Sequence, residues 1–278
     1  MSKTGPGYAP REDAAASARA RQAGAGARQR GEASVLQRAS GVLTPRSATF
    51  VALAAVVGAY YGAHEWLFDL PLWWDIAFLA FVLIPGVFAL VYLLLPLWRA
   101  PALQLFLVAL ALGVLAVVLQ AAGLGPVANF AKLAAMTAAA WWFLNYFEEV
   151  TWVALVAVVV PWVDSYSVWR GPTKTIVTKK PDVFSALSFA FPVPGQSGGA
   201  KLGLPDLLFF ALFLGASARF KLRTPWTWIC LVASLGGTMA IATLFEVDGL
   251  PALPLLALGF LLPNADLLWR AVRGRRAA

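Results

Sequence analysis

Two aspartates stand inside long apolar stretches of this chain: Asp164 in VVVPWVDSYSVWR and Asp206 in KLGLPDLLFF. An ionised carboxylate in hydrocarbon is so unfavourable that it is rarely left there without a partner or a task. Two carboxyl groups that share a site do not readily both ionise, so one keeps a proton while the other stays charged. The charged one can take a proton from a water attacking a carbonyl, and the neutral one can donate to the carbonyl oxygen. Such a pair needs no metal, no nucleophilic side chain and no organic cofactor, and none is expected here. One cysteine, Cys230, and one histidine, His64, are present. That leaves no intramolecular disulfide, no thiolate metal cluster and little material for a zinc site.

The elements that must position these aspartates are membrane helices. The chain has 278 residues, 60% of them hydrophobic and 13% charged, with a mean hydropathy of +0.72. Several uncharged runs are about 17–25 residues long, the length a helix needs to cross a bilayer. The sequence therefore reads as an all-α polytopic membrane protein of about eight transmembrane helices. These lie near 47–66, 73–97, 101–123, 127–147, 150–169, 204–219, 224–245 and 250–269. Residues 1–46 are rich in Ala, Arg, Gly and Ser without apolar periodicity, and read as a disordered basic cytoplasmic tail. With only Glu12, Asp13 and Glu32 as acids, an organellar transit peptide is the alternative. Residues 47–147 form the N-terminal transmembrane helices. Residues 150–272 carry the aspartate-bearing helices, with a loop at 170–203.

A net charge of +8 invites a nucleic-acid reading, but its distribution favours a topology signal. Eight of the 22 basic residues fall in the first 46 positions and four in the last nine. With the N-terminus inside, Glu65, Asp69 and Asp75 fall outside, while Arg219, Lys221, Arg223 and Arg270, Arg273, Arg275, Arg276 fall inside. The loop at 170–203 carries Arg170, Lys174, Lys179, Lys180 and Lys201 yet falls outside, and the remaining charges outvote it. A multi-pass protein of the cell membrane with both termini cytoplasmic is expected.

Counting spans brings the aspartates together. Asp164 lies six residues before Arg170 and Asp206 five after Lys201, so each is about 7–9 Å inside its nearest charge by helical rise. Spans five and six are antiparallel and joined by one loop, which puts both carboxylates at similar depth on one side. Span seven runs across and back, bringing the proline-marked start of span eight, DGLPALPLL, to the same side. Each feature alone has an ordinary explanation. Asp206 follows Pro205 in a first helical turn, where a carboxylate complements the helix dipole. Asp164 could be an interfacial residue bonded to Ser167 or Tyr166, and Pro251 and Pro254 could simply start a helix. The coincidence of all three at one depth weakens those separate readings.

These residues resemble the presenilin and signal peptide peptidase family of intramembrane aspartyl proteases, in a prokaryotic-type form. LGLPD in span six is similar to the family's GLGD motif, PALP at Pro251–Pro254 contains its PAL motif, and Asp164 falls on the span of its first catalytic aspartate. The resemblance covers roughly residues 150–270. It implies a presenilin-like fold with Asp164 and Asp206 as the catalytic pair. It also implies that Gly203, Leu204, Pro205, Pro251, Ala252, Leu253 and Pro254 line the substrate site. The implied partners are transmembrane protein or peptide substrates, including signal-peptide remnants, and the lipid bilayer. Val163 and Pro205 depart from the family's tyrosine and glycine. Eight spans are counted where the family has nine. The expected orientation is closer to signal peptide peptidase than to presenilin.

A transmembrane helix hides its peptide bonds, so cleavage requires unwinding and water. Pro161 weakens span five near Asp164. In the loop, Thr173–Thr178 and Ala186–Val193 are strand-like, and such edges could pair with an unwound substrate. Prolines 251 and 254 leave backbone groups at the start of span eight open to substrate. An ion- or proton-coupled transporter or channel is the rival from another class, since membrane aspartates and broken helices serve coupling equally well. A proteolytically inactive relative that binds membrane helices is a third reading, kept alive by Pro205. The GxSG pattern in Gly195–Gly199 sits in a glycine-rich loop with no histidine after it, so a serine protease is set aside. Asp266 reads as an inner-interface residue, and Lys132 as a snorkelling one.

Overall fold

A computed structural model describes residues 44–170, 181–245 and 250–276. The chain separates into two units, Met1–Thr49 and Phe50–Ala278. Of the first unit the described part is residues 44–49, so residues 1–43 of the basic tail lie outside the described residues, as does Thr173–Thr178, while Pro45 and Arg46, expected in the tail, open a helix.

Among the described residues the elements run α1 (Pro45–Ala63), α2 (Leu72–Arg99), α3 (Ala102–Ala121), α4 (Gly125–Leu144), α5 (Val150–Arg170) and α6 (Pro181–Ala186). Strands β1 (Ser188–Pro192) and β2 (Gly199–Gly203) follow, then α7 (Leu204–Arg219), α8 (Thr224–Leu244) and α9 (Leu253–Arg276). Seven of the described helices are long and apolar enough to cross a membrane. The chain is an all-α polytopic membrane protein. α7 occupies the expected 204–219 but has 16 residues, a rise of about 24 Å. Proline stands in the first two positions of α4, α7 and α8, where its missing N–H would be unpaired in any case. α5 runs without a break across Pro161, so that proline does not open the helix as expected.

Packing centres on α7. Phe210 to Ser217 is buried without interruption, the pattern of a helix apolar on all sides and enclosed by others. Its Phe213 ring stacks on Phe260 of α9 at 4.9 Å, and its Phe210 meets Phe88 of α2 at 4.1 Å. Each such pair contributes about 0.5–1.5 kcal/mol beyond area burial. The Trp141 indole of α4 donates to the Ala211 carbonyl at 3.2 Å. α3, in contrast, exposes Leu103, Leu107, Leu110, Val114, Val117 and Val118, a surface that suits lipid chains.

α8 and α9 approach closely enough that a Cβ on Gly259 would stand 2.9 Å from the Cys230 carbonyl oxygen. Below that crossing, Asn264, 0% exposed, accepts from the Arg223 N–H at 3.0 Å and donates to the Thr227 hydroxyl at 2.8 Å. Arg223 forks onto Asp266 at 2.7 and 2.9 Å. This polar clasp ties the α7–α8 turn to α9 and accounts for Asp266 as a surface ion-pair partner.

Candidate active site

The segment between α6 and α7 folds as an antiparallel hairpin, with Ser188 opposite Gly203 and Pro192 opposite Gly199. Phe189, Phe191 and Leu202 lie on one face and are buried, and Ser188 and Pro192 on the other face of β1 are buried as well. Within the stretch Ala186–Val193 the strand covers Ser188–Pro192. The GxSG stretch belongs to the hairpin turn and the start of β2. Its link to His64 runs through backbone: the Gly195 N–H donates to the His64 carbonyl at 2.7 Å. The His64 ring Nδ1 lies 3.0 Å from the Tyr61 carbonyl oxygen.

β2 leads directly into α7, with Gly203 as N-cap, Pro205 in the first turn and Asp206 at the third helical position. The Asp206 carboxylate turns back over this start. A Cβ on Gly203 would lie 3.2 Å from Asp206 Oδ2, and the Gly203 N–H meets the carboxylate. The third helical position, beside the N-cap N–H, is where a capping box places an acidic group. Asp206 is half-buried against its neighbours there. Because Lys201–Gly203 is strand, the chain from Lys201 to Asp206 is longer than the helical rise assumed from sequence.

Asp164 is half-buried near the end of α5, and α5 and α7 pack in contact. Its carboxylate lies within electrostatic reach of Asp206. Asp164 Oδ2 accepts the backbone N–H of Leu253, the first residue of α9, at 3.1 Å. That donor is one of the groups a helix start leaves unpaired, and it was expected to face substrate. It faces the Asp164 carboxylate instead. Ala252 and Leu253 are buried, so the Pro251–Pro254 segment offers its backbone more than those two side chains.

Gly203, Leu204, Pro205, Asp206, Asp164 and the Pro251–Pro254 segment are therefore drawn to the meeting of three helices, α5, α7 and α9. No triad of acid, His or Cys side chains suited to a metal ion occurs among the described residues. Sequence reasoning missed the residues that hold the hairpin. Lys132 does not snorkel: it is 5% exposed and donates to Gln120 Oε1 at 3.0 Å, the Ser188 carbonyl at 3.0 Å and the Ser185 carbonyl at 3.4 Å. Its position in an apolar span, with Asn129 one turn before it, was the available signal, because polar groups at membrane depth are kept for a reason.

No family profile matches this sequence. Over 61 residues the chain is 36% identical to a presenilin-like protein of Arabidopsis thaliana. That stretch makes up 22% of this chain and 15% of the relative, so the likeness is local.

Proposed function

We propose that this protein is an intramembrane aspartyl protease whose Asp164 and Asp206 activate water against a peptide bond of a transmembrane substrate. The observation that carries the reading is the meeting of Asp164, the first turn of α7 and the start of α9, joined by the Leu253 N–H on Asp164 Oδ2. The local likeness to a presenilin-like protein agrees with it. One carboxylate takes a proton from water as its oxygen bonds to the carbonyl carbon, and the other gives its proton to the carbonyl oxygen. The resulting diol collapses as the nitrogen accepts a proton, breaking the C–N bond and leaving an acid and an amine. Gly203, Leu204 and Pro205 with the Pro251–Pro254 segment flank the substrate. The edge of β2 receives its unwound backbone as an added strand. The protein acts in the cell membrane with both termini in the cytoplasm.

Cleavage of a single-span substrate by the purified protein in liposomes tests this. Wild type is expected to cut, and Asp164→Asn and Asp206→Asn each to lose about 10²–10⁴-fold in rate, the contribution of a positioned acid or base. A hydroxyl-bearing transition-state analogue is expected to inhibit wild type. Equal rates for wild type and both variants would sink the proposal. An inert wild type with aspartate-dependent ion flux would instead establish a transporter.

A further inference from the structure

The two edges of the hairpin meet different surroundings. In an antiparallel pair, alternate residues turn both backbone groups toward the partner strand or away from it. Ala190 turns both away: its N–H donates to Asn129 Oδ1 at 3.3 Å and its carbonyl accepts from the Tyr61 hydroxyl at 3.0 Å. By the period of two, Ser188 and Pro192 face the same way. Their carbonyls accept from Lys132 Nζ at 3.0 Å and the Tyr60 hydroxyl at 2.8 Å. Pro192 has no N–H to leave open. Side chains of α1 and α4 stand where a further strand would otherwise lie. On β2 it is Gly199, Lys201 and Gly203 that turn away from β1. Among the described residues no hydrogen bond reaches the backbone of Gly199 or Lys201 on that edge.

Lys132 is the charged member of this seal. An ammonium has three donors, and all three meet uncharged oxygens, from α3 and from the two carbonyls that bracket the start of β1. A buried charge without a counter-ion is a poor stabiliser compared with an apolar side chain, and is retained where it specifies an arrangement. Ser188, whose carbonyl it holds, is the residue opposite Gly203, and Gly203 is the N-cap whose N–H meets Asp206.

We propose that Lys132 is a positioning residue, pinning Ser188 and through it Gly203, so that the receiving edge of β2 stands in one register relative to Asp206. This rests on the protease reading above, and it adds what sets the bond that is cut.

The test compares wild type, Lys132→Met and Lys132→Arg of the full chain in liposomes. Product masses locate the cut bonds, and hydrogen–deuterium exchange follows residues 188–203 against α8. For Lys132→Met the hairpin amides are expected to exchange faster while α8 is unchanged. Cutting should spread over neighbouring bonds, with kcat lower by about 10- to 100-fold, the penalty of a small misplacement of reacting groups. Lys132→Arg, which keeps charge and donors, is expected to restore a single main product. Wild-type exchange and wild-type products in Lys132→Met overturn the proposal. Should Lys132→Met not fold, Lys132→Gln keeps a polar side chain but is too short to reach all three acceptors, and unchanged exchange and products there overturn it equally. If wild type itself cuts nothing, the protease reading fails, and the exchange arm alone still decides whether Lys132 pins the hairpin.

Discussion

Leu253 gives its N–H to Asp164 Oδ2 across 89 residues of chain, so the carboxylate of one helix is held by the opening turn of another. A hydrogen bond to a charged group contributes about 1.5–3 kcal/mol. Leu253→Pro removes that donor at a first helical position where proline fits. Leu253→Ala removes similar packing and keeps the N–H. The proline variant is expected to cleave about 10- to 100-fold more slowly than the alanine variant, which is that free energy expressed as a rate. Similar kcat values for the two would mean that the bond plays no part in the reaction. A backbone donor has no residue type, which is why this partner of Asp164 could not be read from the sequence, although both residues could be named as site residues.

At the scale of elements, the clasp between the α7–α8 turn and α9 separates two kinds of polar contact. Asn264→Ala leaves the Arg223 N–H without its acceptor, a loss of about 1–3 kcal/mol for an unsatisfied buried group, and takes a donor from the Thr227 hydroxyl, which keeps its bond to the Arg223 carbonyl. Asp266→Ala removes one arm of an ion pair whose side chains are 47% and 41% exposed, where such pairs contribute little. Thermal unfolding in detergent is expected to fall clearly for Asn264→Ala and hardly for Asp266→Ala; the reverse order would contradict this account of α9.

The same scale explains what the sequence could tell. Span limits were legible because bilayer thickness fixes the length of an apolar run, and α7 coincides with the expected 204–219. β1 was legible from its alternating phenylalanines. β2, GAKLG, has no β-branched residue and forms because β1 offers it a partner, a tertiary effect that local propensity does not carry. Lys132 was misread for a similar reason: two of its acceptors lie 53 and 56 residues further along.

For the whole molecule, a membrane crossed an even number of times leaves both chain ends on one side. Seven described helices have the length to cross, and the proposed topology adds α7 as an eighth passage. Labelling of cysteines introduced near the N-terminus, at Arg273 and at Ser197 is expected to place the first two in the cytoplasm and the third opposite. Labelling of all three from one side would refute this arrangement.

The 16 residues of α7 also set a depth. Asp206 stands 13 residues before Arg219, about 20 Å along the helix; with Arg219 at the cytoplasmic boundary of the proposed topology, about 10 Å of a hydrocarbon core of about 30 Å lies above it. On the protease reading, the cut is then set by distance from the bilayer boundary and not by a recognition sequence. Adding leucines to the hairpin-side end of a substrate's apolar segment is then expected to move the cut toward the added residues, keeping its distance below the headgroups. A cut that stays at the same peptide bond would show that residue identity, not immersion, selects it.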